Sequence, residues 1–323
     1  MNMKRIYTFV LAAFATFSVA AQQEYQVSHN MFNNVGINPG AVGLDDAICG
    51  QLIGRQQWMG FEGAPQTYVM SAWSNLSSIA GADLPIGMGL TLFYDKLGIE
   101  QNLKFKFAGN YQLSIPTGVV SFGLEFGMLN KGVNGTPNPI DIGDPLINGG
   151  SAGNWAESSM APDLGFGAFY RSESKNLYFG VSASQLLQGS IDWNSAQPQL
   201  RRHYYISGGY FTEPMMGGSI VLQPNMLIKS DGSVTTMDLG MLAYWNDQFW
   251  GGASYRTGDA FVALAGWQKG MGTNSIKVGI AYDFTTSAIK TYSSGTAELF
   301  VRYCHGIEPP SRIRRYVDPT LLQ

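Results

Sequence analysis

Three histidines, two cysteines and a thin scatter of carboxylates are the residues of this 323-residue chain whose types could carry chemistry. His29, His203 and His305 stand far apart, and none has a cysteine or carboxylate at the spacing a metal site uses. There is no G-x-S-x-G elbow, no phosphate-cradling Walker loop and no dinucleotide fingerprint. Asp95, Glu125 and Asp283 occur singly, so they read as ion-pair partners for Lys104, Lys106 and Arg55 rather than as acid and base. The sequence therefore points away from catalysis and implies no cofactor and no metal. A passage, a plug or a docking platform is the expected task.

The elements that must hold these residues follow from composition. Residues 1–21 carry Lys4 and Arg5, then an apolar run, then the small residues Ser18, Ala20 and Ala21, which is the anatomy of a secretion signal. Removing Lys4 and Arg5 takes the net charge from −3 to −5, so nucleic acid is not an expected partner. Charged residues make up 13% of the chain, well below the norm of about 25%, while glycine is abundant at 40 residues. Nothing after the leader approaches the ~20 apolar residues a membrane helix needs. Few charges with many glycines and aromatics fit an outer-membrane β-barrel embedded in lipid.

Two-residue alternation supports that class from end to end. In NLKFKFAGNYQLS, Leu103, Phe105, Phe107 and Tyr111 share one face, and Lys104, Lys106, Asn110 and Gln112 share the other. The same pattern puts Glu125 opposite Phe122, Leu124 and Phe126, and puts Lys277 and Asp283 opposite Val278, Ile280 and Tyr282. With the apolar face toward lipid, Lys104, Lys106, Glu125, Lys277 and Asp283 face a crowded, hydrated lumen. Parity alone then expects Lys104→Gln to be tolerated and Phe105→Lys to be harmful.

Fourteen such segments are found between residues 47 and 304, predicting an all-β, fourteen-stranded antiparallel transmembrane outer-membrane β-barrel. An even count places both ends of the barrel in the periplasm, with short turns there and longer loops outside. Trp58, Trp73, Tyr94, Trp245, Trp250, Trp267 and Tyr303, near strand ends, are expected at the lipid–water girdles.

The stretch MFNNVGINPGAVG has neither strand alternation nor a helical period and lies between the leader and the first strand. Pro39 holds Asn38 extended, and Gly36, Gly40 and Gly43 permit close approach, so residues 22–46 can lie in the periplasm or inside the barrel. This stretch resembles the start of the PorP/SprF family of outer-membrane proteins through Met31, Phe32, Asn33, Ile37, Asn38, Pro39 and Gly43. A second motif of that family is matched by Arg55, Gln57, Trp58, Gly60, Gly63, Ala64 and Pro65. Gly40 stands where the family usually has Ala, and residues 305–323 extend beyond many members.

The resemblance implies a barrel serving type IX secretion and gliding motility in Bacteroidetes. Its implied partners are outer-membrane lipid, periplasmic and lipid-anchored secretion components, and secreted surface adhesins. A diffusion or uptake channel for small solutes or hydrophobic molecules is the alternative from the residues alone. The tail 305–323 emerges into the periplasm, where Arg312, Arg314 and Arg315 form a basic cluster suited to docking a partner. Cys49 and Cys304, on the first and last strands, both face inward at the periplasmic rim. Shear leaves both a seam disulfide and two free thiols open.

Overall fold

The computed structural model describes residues 24–45, 47–60, 62–80, 84–135, 155–193 and 199–307. The leader, the loop 136–154 and the cluster Arg312, Arg314 and Arg315 lie outside the described residues. The strands are β1 (Ala47–Gln56), β2 (Gln66–Asn75), β3 (Ile86–Leu97), β4 (Glu100–Ile115), β5 (Gly118–Gly135), β6 (Trp155–Ser172) and β7 (Leu177–Ser184). They continue as β8 (His203–Tyr210), β9 (Ile220–Ser230), β10 (Thr235–Trp245), β11 (Phe249–Arg256), β12 (Ala260–Met271), β13 (Asn274–Thr285) and β14 (Thr296–Gly306). Each strand pairs antiparallel with its sequence neighbours, and β14 pairs with β1 to close the barrel. Closure leaves no sheet edge, so the lipid-facing backbone is satisfied within the ladder.

The alternation fixes which face is which. Phe105 and Phe107 are 42% and 45% exposed on the outer wall, where lipid covers them, whereas Lys104 and Lys106 are 2% and 6% exposed inside. Both termini of the barrel lie at the end where β4 and β5, and β12 and β13, are joined by two-residue turns. The opposite end carries the connection between β5 and β6 and the long one between β7 and β8. Short turns and chain ends mark the periplasmic side.

Three expectations need correction. Trp73 and Trp250 are only 4% and 3% exposed and point inward, because they share parity with Ser71 and Ser254, while Trp245 and Tyr303 do face outward. The lumen is not a hydrated cavity lined by small residues. Ile53, Val69, Phe93, Leu242, Val262, Leu264 and Phe300 form an apolar core inside it, around Val27, Met31 and Phe32. Finally, β14 runs on to Gly306, past the expected end at 304, since His305 still pairs with Asn274.

Candidate functional site

Residues 24–45 fill the barrel. From Glu24, beside the outer ends of β4, β8 and β9, the segment descends through the lumen to Asp45 at the periplasmic rim and turns into β1. It is built of three single turns: Asn30–Phe32 in 3₁₀ form, Asn34–Ile37 in α form and Pro39–Ala41 in 3₁₀ form. Turns this short leave no helical period in the sequence. Asn38 before Pro39 is extended, as a residue preceding proline prefers, and its Oδ1 accepts from Gly40 N at 2.8 Å.

The first motif binds the wall near the periplasm. Asn38 Nδ2 donates to the carbonyls of Ala168 on β6 and Val181 on β7 at 3.0 and 3.2 Å. Asn110 Nδ2 donates to the Gly40 and Val42 carbonyls at 2.8 and 2.6 Å, and Ser182 Oγ donates to the Ile37 carbonyl at 2.7 Å. A methyl group at Gly123 on β5 would overlap the Pro39 carbonyl, so this wall position must lack a side chain. Asn33 is buried and accepts from Gln51 Nε2, while Gly43 turns the chain at φ 63°. Met31 and Phe32 anchor the middle, with the Phe32 ring centroid 5.1 Å from that of Phe300 and 5.0 Å from that of Trp250.

The upper part is latched by charge. Ser28 N and His29 N donate to the two oxygens of Glu298 at 2.7 and 2.8 Å, and His29 Nδ1 lies 2.7 Å from Glu298 Oε1. Ser28 Oγ donates to Asp283 at 2.6 Å and accepts from Arg55 at 2.7 Å. Arg55 pairs with Asp283 at 2.8 Å and with Glu298 at 3.2 Å, and Arg256 bridges Asp283 and Asp238 at 3.0 and 2.8 Å. Because Ser28 donates to a carboxylate and His29 is turned to Glu298, the trio holds the segment in place rather than activating a nucleophile. Buried carboxylates with several donors of this kind are satisfied, and strongly coupled to their partners.

A second node surrounds Glu24. Lys104 Nζ lies 2.8 Å from Glu24 and 2.7 Å from Asp163, Lys106 pairs with Glu125 at 2.8 Å, and the Tyr205 hydroxyl donates to Glu24. Burial alone would raise the Glu24 carboxyl, but Lys104, His203 and Lys106 around it hold it well below the usual carboxylate range. Asp95, in contrast, accepts from the Thr67 hydroxyl. Lys277 faces the lumen low in the barrel, its Nζ 4.4 Å from the centre of the Phe32 ring.

The second motif lies at the other mouth. Gln57 N donates to the Pro65 carbonyl at 2.9 Å, closing the loop between β1 and β2 in which Gly60, Gly63 and Ala64 lie. Trp58 N donates to Thr296 Oγ1 at 3.0 Å and Met59 N to the Gly295 carbonyl at 2.8 Å, knitting this loop to the start of β14. The two motifs thus serve opposite ends, and Arg55 of the second reaches the lumen segment at Ser28, three residues before the first begins. At the periplasmic end Cys49 and Cys304 are register partners, 4.0 Å apart at Cα, and are bonded as a disulfide.

Comparison with known proteins agrees with this architecture. Residues 19–303 match the family described as type IX secretion system membrane protein PorP/SprF, and the chain belongs to that family. No curated protein matches it. Among solved structures, the TodX monoaromatic hydrocarbon channel in its deltaS2 form shares 8% identity at a TM-score of 0.50, covering 85% of this chain and 94% of that one. The Acinetobacter baumannii outer membrane protein Omp33 shares 8% identity at a TM-score of 0.44, covering 80% and 98%. Likeness at such identity concerns the fold alone. The protein is an outer-membrane barrel of the type IX secretion system.

Proposed function

We propose that this barrel serves type IX secretion as a closed docking component, working through protein contacts at its mouths rather than by passing solutes. The carrying observation is the segment 24–45, which occupies the lumen from the outer half to the periplasmic rim and is bound to the wall along its length. A lumen so filled supports a scaffold better than a diffusion or uptake channel. Its partners are then periplasmic and lipid-anchored components of the same system, with secreted surface adhesins as the cargo that depends on it. The basic cluster Arg312, Arg314 and Arg315 in the C-terminal segment offers such partners a second contact.

Deletion of the gene, with analysis of the culture medium and of surface-displayed adhesins, tests the reading. Loss of secreted or displayed cargo, restored by the intact gene, is expected. The purified protein in planar bilayers is expected to carry no steady current. Normal secretion and display together with altered solute uptake would overturn the docking reading in favour of a channel.

A further inference from the structure

Lys277 on β13 and Arg302 on β14 stand directly opposite one another in the register, both facing inward near the periplasmic end. Like charges at directly opposed positions of an antiparallel pair repel. Their other cross-strand neighbours, Gln268 on β12 and Gln51 on β1, bring no negative charge. Arg302 donates to Gln51 Oε1 at 2.7 and 3.1 Å and to the Phe32 carbonyl. Lys277 meets the ring faces of Phe32 and Tyr244, 4.4 and 5.2 Å from their centres. Among the described residues neither cation takes part in an ion pair.

The two cations stand where two cavities of about 270 and 390 Å³ meet, both lined by Asp45, Lys277 and Arg302. Asp45 is engaged by Arg171 at 3.1 Å, and Asp247 lines only the cavity at the rim. Arg171, Lys175 and Lys269 add further positive charge to the same walls. Inward, Met31 and Phe32 of the lumen segment end the space, so an entering group meets a closed socket. A cationic pair that forms no ion pair among the described residues, at the base of a blind socket that opens toward the periplasm and carries more cations than carboxylates on its walls, is complementary to a carboxylate presented on a short stretch of chain.

We infer that this vestibule docks an acidic peptide segment of a periplasmic partner protein, with a carboxylate seated between Lys277 Nζ and the Arg302 guanidinium and flanked by Phe32, Trp73 and Tyr244. The inference rests on the docking reading of the barrel and gives the chemistry of one partner. The volume of the socket limits the inserted portion to a few residues.

The test uses the purified full-length barrel in detergent and two end-blocked tetrapeptides, Asp-Phe-Asp-Asp and its amide counterpart Asn-Phe-Asn-Asn, titrated by calorimetry. The acidic peptide is expected to bind about tenfold or more tightly than the amide one, and each of Lys277→Gln and Arg302→Gln to weaken it about tenfold. Lys290→Gln, in the connection between β13 and β14 at the opposite end of the barrel, is expected to change binding little. Without peptide, Lys277→Gln is expected to raise the melting temperature, because it removes the repulsion, which also shows that the variant folds. Equal binding of both peptides, or no binding, overturns the inference. Inorganic phosphate binding more tightly than the acidic peptide overturns it in favour of a phosphate-bearing ligand. Binding by a chain ending at Ile307 but not by the full chain overturns it in favour of the protein's own C-terminal segment. Binding is read without secretion, so this assay and the gene-deletion assay fail separately.

Discussion

Ser28 and Glu298 lie 270 residues apart in sequence, yet the backbone N–H of Ser28 donates to the Glu298 carboxylate at 2.7 Å inside the barrel. That contact, repeated by His29, makes one residue of the last strand the anchor of the lumen segment. Glu298→Ala removes the acceptor of two backbone donors and the partner of the His29 ring, and leaves Arg55 with Asp283 as its one carboxylate. A loss of about 3–5 kcal/mol is expected for breaking such a buried pair. Amide exchange of the peptide covering residues 24–35 checks it: faster exchange there, with wall strands still protected, is the expected pattern, and unchanged exchange would count against the latch.

The wall facing the segment gives a second prediction. Gly123→Val places a branched side chain where the Pro39 carbonyl lies. The barrel is expected to assemble, since valine suits a strand, but with residues 38–43 displaced. Protease cleavage within 24–45 on purified protein, absent from the parent and present in the variant, is the readout.

Lipid and lumen faces of β4 respond differently. Phe105→Lys puts a charge into lipid at a cost of about 2–4 kcal/mol near the midplane, and is expected to reduce the protein in outer-membrane fractions. Phe105→Leu is expected to leave it unchanged. Lys104→Gln, which parity alone expects to be harmless, instead leaves Glu24 and Asp163 without their shared cation and is expected to loosen the segment.

Acid should not readily release the segment. The folded Glu24 carboxyl is held well below its ordinary range, so the stability it contributes is present above that range and is lost only as pH falls through the lowered value. Protection of residues 24–35 is therefore expected to be the same at neutral pH and at mildly acidic pH. In Glu24→Gln the contribution is absent at every pH. A parent protein that sheds the segment between pH 7 and about 5 would contradict this.

How much of this was legible in the sequence depends on what kind of information each feature needs. Alternation fixes parity, and parity located the strands and put Lys104, Lys106, Glu125, Lys277 and Asp283 inside. Trp73 and Trp250 read as girdle residues from their places near strand ends, although their parity with Ser71 and Ser254 turns them inward, where they pack against Val42 and Phe32 of the lumen segment. Ser28 and His29 carry no signal of their role, because their partners Asp283 and Glu298 lie more than 250 residues away in sequence. The shared lumen face of Arg55, Asp238, Arg256, Asp283 and Glu298, each near the outer end of its strand, is a readable hint of a charge cluster. Gly123 looked like any small lumen residue, since its reason is the Pro39 backbone and not its own strand.

The seam offers a direct chemical check. Under denaturing, unreduced conditions with exchange blocked, neither Cys49 nor Cys304 is expected to take up an alkylating reagent, and reduction is expected to expose both. Cys304→Ser is expected to lose at most about 5 kcal/mol by the loop-closure argument. Labelling of two cysteines before reduction would rule the bond out.

Topologically, the Cys49–Cys304 bond makes the wall a covalent hoop, and residues 24–45, which precede Cys49, are a free strand passing through it. The molecule is a lasso tied in its own chain. The hoop cannot spread sideways at the periplasmic end, so nothing held inside leaves through the β1–β14 seam there while the bond is intact. Withdrawal of the segment is an axial motion toward the periplasmic rim, where Asp45 leads into β1, and a pull from the periplasm acts along that axis.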